Sequence, residues 1–186
     1  MTRRFFLLLL GMLTASAGAA SQSKPTVVIL VRHAEKGTTP ANDPPLTEAG
    51  VARAKALAAA LTNTNVQAVI TTELTRTRET GRPVAESRGL TSETVHTGPT
   101  DAHVKAVAEA VRAHAGQTVL VVGHSNTIPA IIAALGGPKL PDICDSQYSN
   151  FYVMILDNGG KKPDLVTSSY GAPSPDPVAT CPNSMK

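Results

Sequence analysis

Three short apolar runs, Thr26 to Val31, Val66 to Ile70 and Thr118 to Val122, each followed by a longer stretch of helical character, limit what this chain can become more than any other feature. Runs without polar alternation read as strands covered on both faces, the condition of parallel sheets with helices above and below. The segments between them read as helices. Thr47 is placed to cap EAGVARAKALAAAL, where Val51, Ala54, Leu57, Ala58 and Leu61 fall near helical spacing. AHVKAVAEAVRAHA follows Asp101, with Val104, Val107, Ala108 and Val111 on one face. Thr75 to Arg88 is a third helix, which Pro83 is expected to kink or divide. Two later strands, Phe151 to Leu156 and Leu165 to Ser169, are separated by the turn sequence Asp157-Asn158-Gly159-Gly160 and a short polar stretch. This alternation predicts an α/β domain, a three-layer α/β/α sandwich with a mostly parallel central sheet, whose ligands bind beyond the carboxyl ends of the strands.

Both termini are set apart by composition. Residues 1–20 read as an export signal: a basic MTRR, an apolar FFLLLLGML too short to span a bilayer, and the small residues TASAGAA for a peptidase. The alternative is an uncleaved anchor, and Arg3-Arg4 also resembles a twin-arginine signal. An exported, periplasmic or extracellular location is therefore expected, with no stable membrane insertion after cleavage. Residues 21–170 form the expected catalytic domain and residues 171–186 a Pro-rich tail, in which GAPSPDPVATCP holds four prolines. Cys144 and Cys181 are the only cysteines, and in an exported chain such a pair is expected to be bridged. No CxxC or HxxxH spacing surrounds them, so no metal is expected. Loss of Arg3 and Arg4 takes the formal charge from +3 to +1, and no Trp is present. Neither basic excess nor stacking aromatics suggest nucleic acid as a partner. Oligomeric state leaves no trace in the sequence.

Each of the three apolar runs ends in chemistry. Val27 to Val31 leads into Arg32-His33-Ala34-Glu35, Ala68 to Ile70 into TTELTRTRET with Arg76 and Arg78, and Val119 to Val122 through Gly123 into His124, Ser125 and Asn126. If the strands are parallel, these groups share one sheet edge. Arginine holds phosphate oxygens in a bidentate fork and never loses its charge, while neutral imidazole can attack phosphorus and later leave it. Gly123 and a helix starting near Thr127 are expected to turn backbone N–H groups toward the anion. A small phosphorylated substrate, or inorganic phosphate, is the expected partner.

The ordered motifs RHAE at 32–35, TTELTRTRET at 71–80 and VVGHSNT at 121–127 resemble the histidine phosphatase superfamily, in its phosphoglycerate mutase-like branch. The resemblance spans roughly residues 25–157 and implies the α/β/α fold, a phosphohistidine intermediate and no cofactor. It implies that His33 is the nucleophile, Arg32 and Arg76 the phosphate-binding arginines, and His124 the second histidine. His96, His103 and His114 are expected to be exposed or loosely buried, and Arg78 a solvated helix residue.

Two departures from the family pattern matter. Ala34 stands where glycine is usual, which is tolerable if the backbone permits a side chain. Ser125 follows the second histidine in place of the aspartate that donates a proton in the acid phosphatase and phytase branch. The mutase-like branch carries a glutamate some two dozen residues after the second-motif arginine, and that count reaches Asp101, which could equally be a helix cap. Glu35, Glu73 and Asp43 are the other candidate acids. The chain is short for a mutase, so a phosphomonoesterase is expected. The alternatives are a phosphate or phosphosugar binding protein on the same scaffold, a phosphoryl-transfer enzyme, and a phosphatase acting on phosphohistidine.

Overall fold

A computed structural model of the protein describes residues 24–157 and 161–175. Its elements run β1 (Thr26–Arg32), α1 (Glu48–Ala60), β2 (Val66–Thr71), α2 (Thr75–Arg88), β3 (Glu93–Thr94), α3 (Thr100–Ala113), β4 (Thr118–Gly123), α4 (Thr127–Ala134), β5 (Asn150–Leu156) and β6 (Asp164–Ser169). They build one six-stranded sheet in the order β3-β2-β4-β1-β5-β6. The three apolar runs lie side by side and parallel, with β1 and β2 flanking β4, while β5 and β6 add antiparallel at one edge.

The unbroken apolarity of β1 has a direct structural cause. Val28 and Leu30 face one core, shared with Val104, Val107 and Val111 of α3 and Ile128, Ile131 and Ile132 of α4. Ile29 and Val31 face a second core, shared with Leu57 of α1 and Val84 and Ala85 of α2. The sheet is thus sandwiched, α1 and α2 on one face and α3 and α4 on the other, which is the mostly parallel α/β/α arrangement that the sequence pattern implies.

Several local expectations change. Thr47 does cap α1, its hydroxyl accepting from the Gly50 N–H, but Val51 is 41 % exposed and the buried stripe is Gly50, Arg53, Ala54 and Leu57. The inward face rotates to Gly50 because a Cβ there would meet the Glu35 carbonyl oxygen at 2.2 Å, a backbone approach only glycine allows. Helix α2 runs through Pro83 undivided. Pro83 removes one backbone bond, but Thr77, Thr80, Gly81, Val84 and Ala85 are all buried against the sheet, and that packing holds the element together. Asp101 is not the cap of α3. The helix starts one residue earlier, behind Pro99, and Asp101 sits exposed in its first turn, where a carboxylate complements the helix dipole. The two-residue strand β3, paired with the end of β2, had no signal in the sequence.

The expected signal segment, the Asn158-Gly159-Gly160 turn and Cys181 lie outside the described residues. Cys144 is buried. The start of the tail is fastened to the domain rather than loose: Ala172 O accepts from Arg53 Nη1, and Ser174 Oγ accepts from the N–H groups of Tyr148 and Ser149. No helix among the described residues is long and apolar enough to cross a membrane.

Candidate active site

The ends of β1 and β4 meet in register, Arg32 opposite Gly123, and the His33 N–H donates to the Gly123 carbonyl at 2.9 Å. This pairing sets the two histidines side by side, with ring centroids 5.5 Å apart in an edge-to-face arrangement. Gly123 is required where it stands, because a Cβ would lie 2.9 Å from Ile128 Cδ1 and 3.1 Å from Thr127 Oγ1. Burying the Arg32 guanidinium costs several kcal/mol. Val28 to Val31, all at most 2 % exposed, together contribute on the order of 6–12 kcal/mol of burial, enough to hold the strand where its last residues become the site.

His33 is 1 % exposed and its Nδ1 lies 2.8 Å from the Ala34 carbonyl oxygen. A carbonyl oxygen only accepts, so Nδ1 carries the proton and Nε2 keeps its lone pair, the tautomer a nucleophile needs. Burial pushes the His33 pKa well below the ordinary imidazole value, and the nearby His124, Arg32 and Arg76 push the same way, against the Ala34 hydrogen bond. His124 is held down to about 3, by burial first and then by Arg76, His103 and Arg32, with Glu73 opposing. Both rings are therefore neutral at physiological pH. Ala34 fits in place of glycine because no non-glycine residue described has positive φ, and its N–H is fixed by Thr80 Oγ1, whose hydroxyl donates to Arg76 O.

Arg32 and Arg76 converge on the same place; burial lowers the pKa of both guanidinium groups, and Arg32 lowers that of Arg76 further. Arg32 Nη1 donates to the carbonyls of Cys144, Asp145 and Gln147, its Nη2 lies 3.6 Å from Asp145 Oδ1, and its guanidinium stacks 4.2 Å from the Tyr148 ring centroid. Arg76 Nη1 lies 3.9 Å from Asp43. What remains is a set of buried side-chain nitrogens with no partner among the described residues: Nε of Arg32, Nε of Arg76 and Nδ1 of His124. Buried polar groups are rarely left unpaired, and two unpaired guanidinium N–H groups close to His33 suit an anion.

The backbone contribution differs from expectation. The His124 N–H is taken by Thr127 Oγ1 at 3.0 Å, so side chains rather than this amide face the anion. The candidate acids are also largely occupied. Glu35 is locked to Arg53, whose Nε and Nη2 reach its oxygens at 2.7 to 3.0 Å, which makes it a structural partner rather than a proton donor. Asp43 caps the start of α2 through the Thr75 N–H and hydroxyl. Glu73 accepts from the Thr97 N–H at 2.9 Å and from the Thr97 hydroxyl. Burial raises its carboxyl, yet these bonds outweigh burial and hold it below the usual carboxylate range. Asp101 is exposed on α3.

Sequence reasoning missed several members of the site region. Arg53 lay in an alanine-rich helix, Tyr148 and Asp145 lay in a loop without periodicity, and Thr80 closes the second motif, one turn after Arg76, without having been singled out. His103 is the clearest reversal. It is 4 % exposed, bonded through Nδ1 to the His96 carbonyl, and lines a cavity of about 170 Å³ together with His124. His96 is exposed, His114 sits half-buried between Gln117 and Glu93, and Arg78 is a surface residue, as expected. Among the described residues no cluster of three or more metal-ligating side chains occurs.

The family model of the histidine phosphatase superfamily (branch 1) matches residues 28–97 and 102–170. The chain belongs to the histidine phosphatase superfamily. Solved structures agree with this placement in fold. A protein described as a phosphohistidine phosphatase, SixA, from Nakamurella multipartitia superposes with a TM-score of 0.57 at 24% identity, over 81% of this chain and 99% of its own. The protein histidine phosphatase SixA complexed with tungstate gives 0.60 at 19% identity, over 77% and 96%. A mycobacterial glucosyl-3-phosphoglycerate phosphatase gives 0.58 at 16% identity, over 81% and 100%. No curated protein matches the chain in sequence.

Proposed function

We propose that this superfamily member is an exported phosphomonoesterase working through a phosphohistidine at His33. One observation carries the reading: a buried imidazole held with Nε2 unprotonated, close to buried nitrogens of Arg32, Arg76 and His124 that have no partner among the described residues. His33 Nε2 attacks phosphorus in line, Arg32, Arg76 and His124 hold the equatorial oxygens, and water then cleaves the N–P bond to release phosphate. Export rests on residues 1–20. The test is phosphate release from an aryl phosphate by the mature protein with and without His33→Ala. Equal rates for the two proteins would end the proposal.

The occupied carboxylates favour a second reading. With Glu35, Asp43 and Glu73 engaged, substrates whose leaving groups need little protonation, including phosphoramidates such as phosphohistidine, suit the site. Two of the similar structures are SixA proteins described as acting on phosphohistidine. Turnover of a phosphohistidine peptide with none of any alkyl phosphate is the result that would select this reading.

A further inference from the structure

A phosphatase of alkyl esters needs an acid, and the carboxylates do not readily provide one. The cavity beside His124 contains another candidate. Its walls are Leu74, Thr97, Gly98, Thr100, His103, His124, Asn126 and Thr127, six of them with polar side chains, and His33 is not among them. The cavity therefore borders His124 but not His33, so it is space beside the phosphate-binding histidine that the attacking imidazole does not fill.

His103 enters this space from α3. Its Nδ1 lies 3.0 Å from the His96 carbonyl oxygen, so Nδ1 is the protonated nitrogen and the ring orientation is fixed. Its Nε2 makes no hydrogen bond among the described residues, although the residue is only 4 % exposed. Asn126 adds a buried Oδ1 that also has no partner. The titratable groups around His103 are His124 at the end of β4, Glu73 ahead of α2, and His96 and Asp101 on the approach to and first turn of α3. Glu73 is tied to Thr97 and faces His96, which leaves His103 Nε2 as the titratable atom of the cavity with no prior commitment besides His124.

We propose that this cavity is the leaving-group subsite and that His103 is the general acid, giving the enzyme phosphomonoesters of small hydroxylated alcohols as substrates. The inference rests on the phosphatase reading above. As His33 Nε2 bonds to phosphorus, the P–O bond breaks and the departing oxygen takes the proton from His103 Nε2, leaving a neutral imidazole. In the second step His103 Nε2 accepts a proton from the attacking water, the N–P bond breaks back onto His33, and phosphate leaves with the acid restored. Asn126 Oδ1 accepts a hydroxyl of the alcohol.

The experiment compares glycerol 3-phosphate with p-nitrophenyl phosphate, whose leaving group needs no protonation. In His103→Asn, whose amide can still donate to the His96 carbonyl, kcat/KM for glycerol 3-phosphate, which reports the phosphorylation step before the shared hydrolysis, is expected to fall by about 10²- to 10⁴-fold, with little change in kcat/KM for the aryl ester. Equal losses on both esters, or none on either, overturn the inference while leaving the phosphatase reading intact. Failure of the unsubstituted protein to release phosphate from either ester overturns both readings.

Discussion

Glu35 lies two residues beyond His33 in sequence, so its role is the sharpest point at which geometry and motif position disagree. Glu35→Gln keeps the side-chain volume and removes the charge. In the folded protein both Glu35 oxygens accept from Arg53, at 2.7, 2.9 and 3.0 Å, and Arg53 Nη1 separately holds the carbonyls of Tyr170 and Ala172 at 3.1 and 3.0 Å. A glutamine oxygen can still accept from Arg53, so the loss is the charged part of the interaction rather than the whole. Hydrogen bonds to charged groups contribute about 1.5–3 kcal/mol each and neutral ones about 0.5–1.5, which places the cost near ~1–2 kcal/mol. The Glu35 side chain is 24 % exposed, and solvent screening favours the lower half of that range. For a domain of this size the midpoint should drop by roughly 2–6 °C. Circular dichroism melts give that number, and phosphate release from glycerol 3-phosphate at a temperature well below both midpoints gives the rate. A lowered midpoint with an unchanged kcat is expected. A fall of about 10²-fold or more in kcat with the midpoint unmoved would refute the structural assignment and make Glu35 the acid.

Other substitutions probe other joints of the site. Arg76→Ala removes a fork facing the anion and should lower kcat/KM by about 10²- to 10³-fold in steady-state assays, with Arg76→Lys recovering only part because a point charge cannot bind bidentately. Gly123→Ala forces a Cβ to within 2.9 Å of Ile128 Cδ1, and should cost about 1–3 kcal/mol in urea unfolding while weakening inorganic phosphate binding through a displaced His124. His124 is neutral in the fold down to about 3 and takes its proton near ~6.5 when unfolded. Between those values the unfolded chain binds the extra proton, so stability is full above ~6.5 and is lost as pH falls toward 3. His124→Asn should flatten that part of a midpoint-against-pH curve, and an unchanged curve would show that His124 is not buried neutral.

How much of this was readable in the sequence follows from what each residue's signal depends on. The strands β1, β2 and β4 were legible because both their faces are buried, leaving an unbroken apolar run that needs no tertiary knowledge. The residues at their carboxyl ends were legible for the same reason, since parallel strands deliver whatever follows them to one edge. Arg53 was not, because its burial depends on meeting Glu35 and the Tyr170 carbonyl, 18 and 117 positions away. The turn of α1 about its axis was equally invisible, since it depends on Gly50 lying against the Glu35 backbone. His103 sits in the first turns of α3, and only the fold shows that this end of the helix abuts His124. Nor could spacing tell Asp101 from His103, two positions apart, although one is exposed and the other buried.

The covalent intermediate is the centre of the proposal. Rapid quenching of the protein during turnover of p-nitrophenyl phosphate, under alkaline conditions that preserve phosphohistidine, followed by peptide mass spectrometry, locates the phosphoryl group directly. The expected result is phosphorylation of His33 during turnover, with neither the adduct nor turnover in His33→Ala. A phosphoryl group on another residue, or full turnover by His33→Ala, would contradict it.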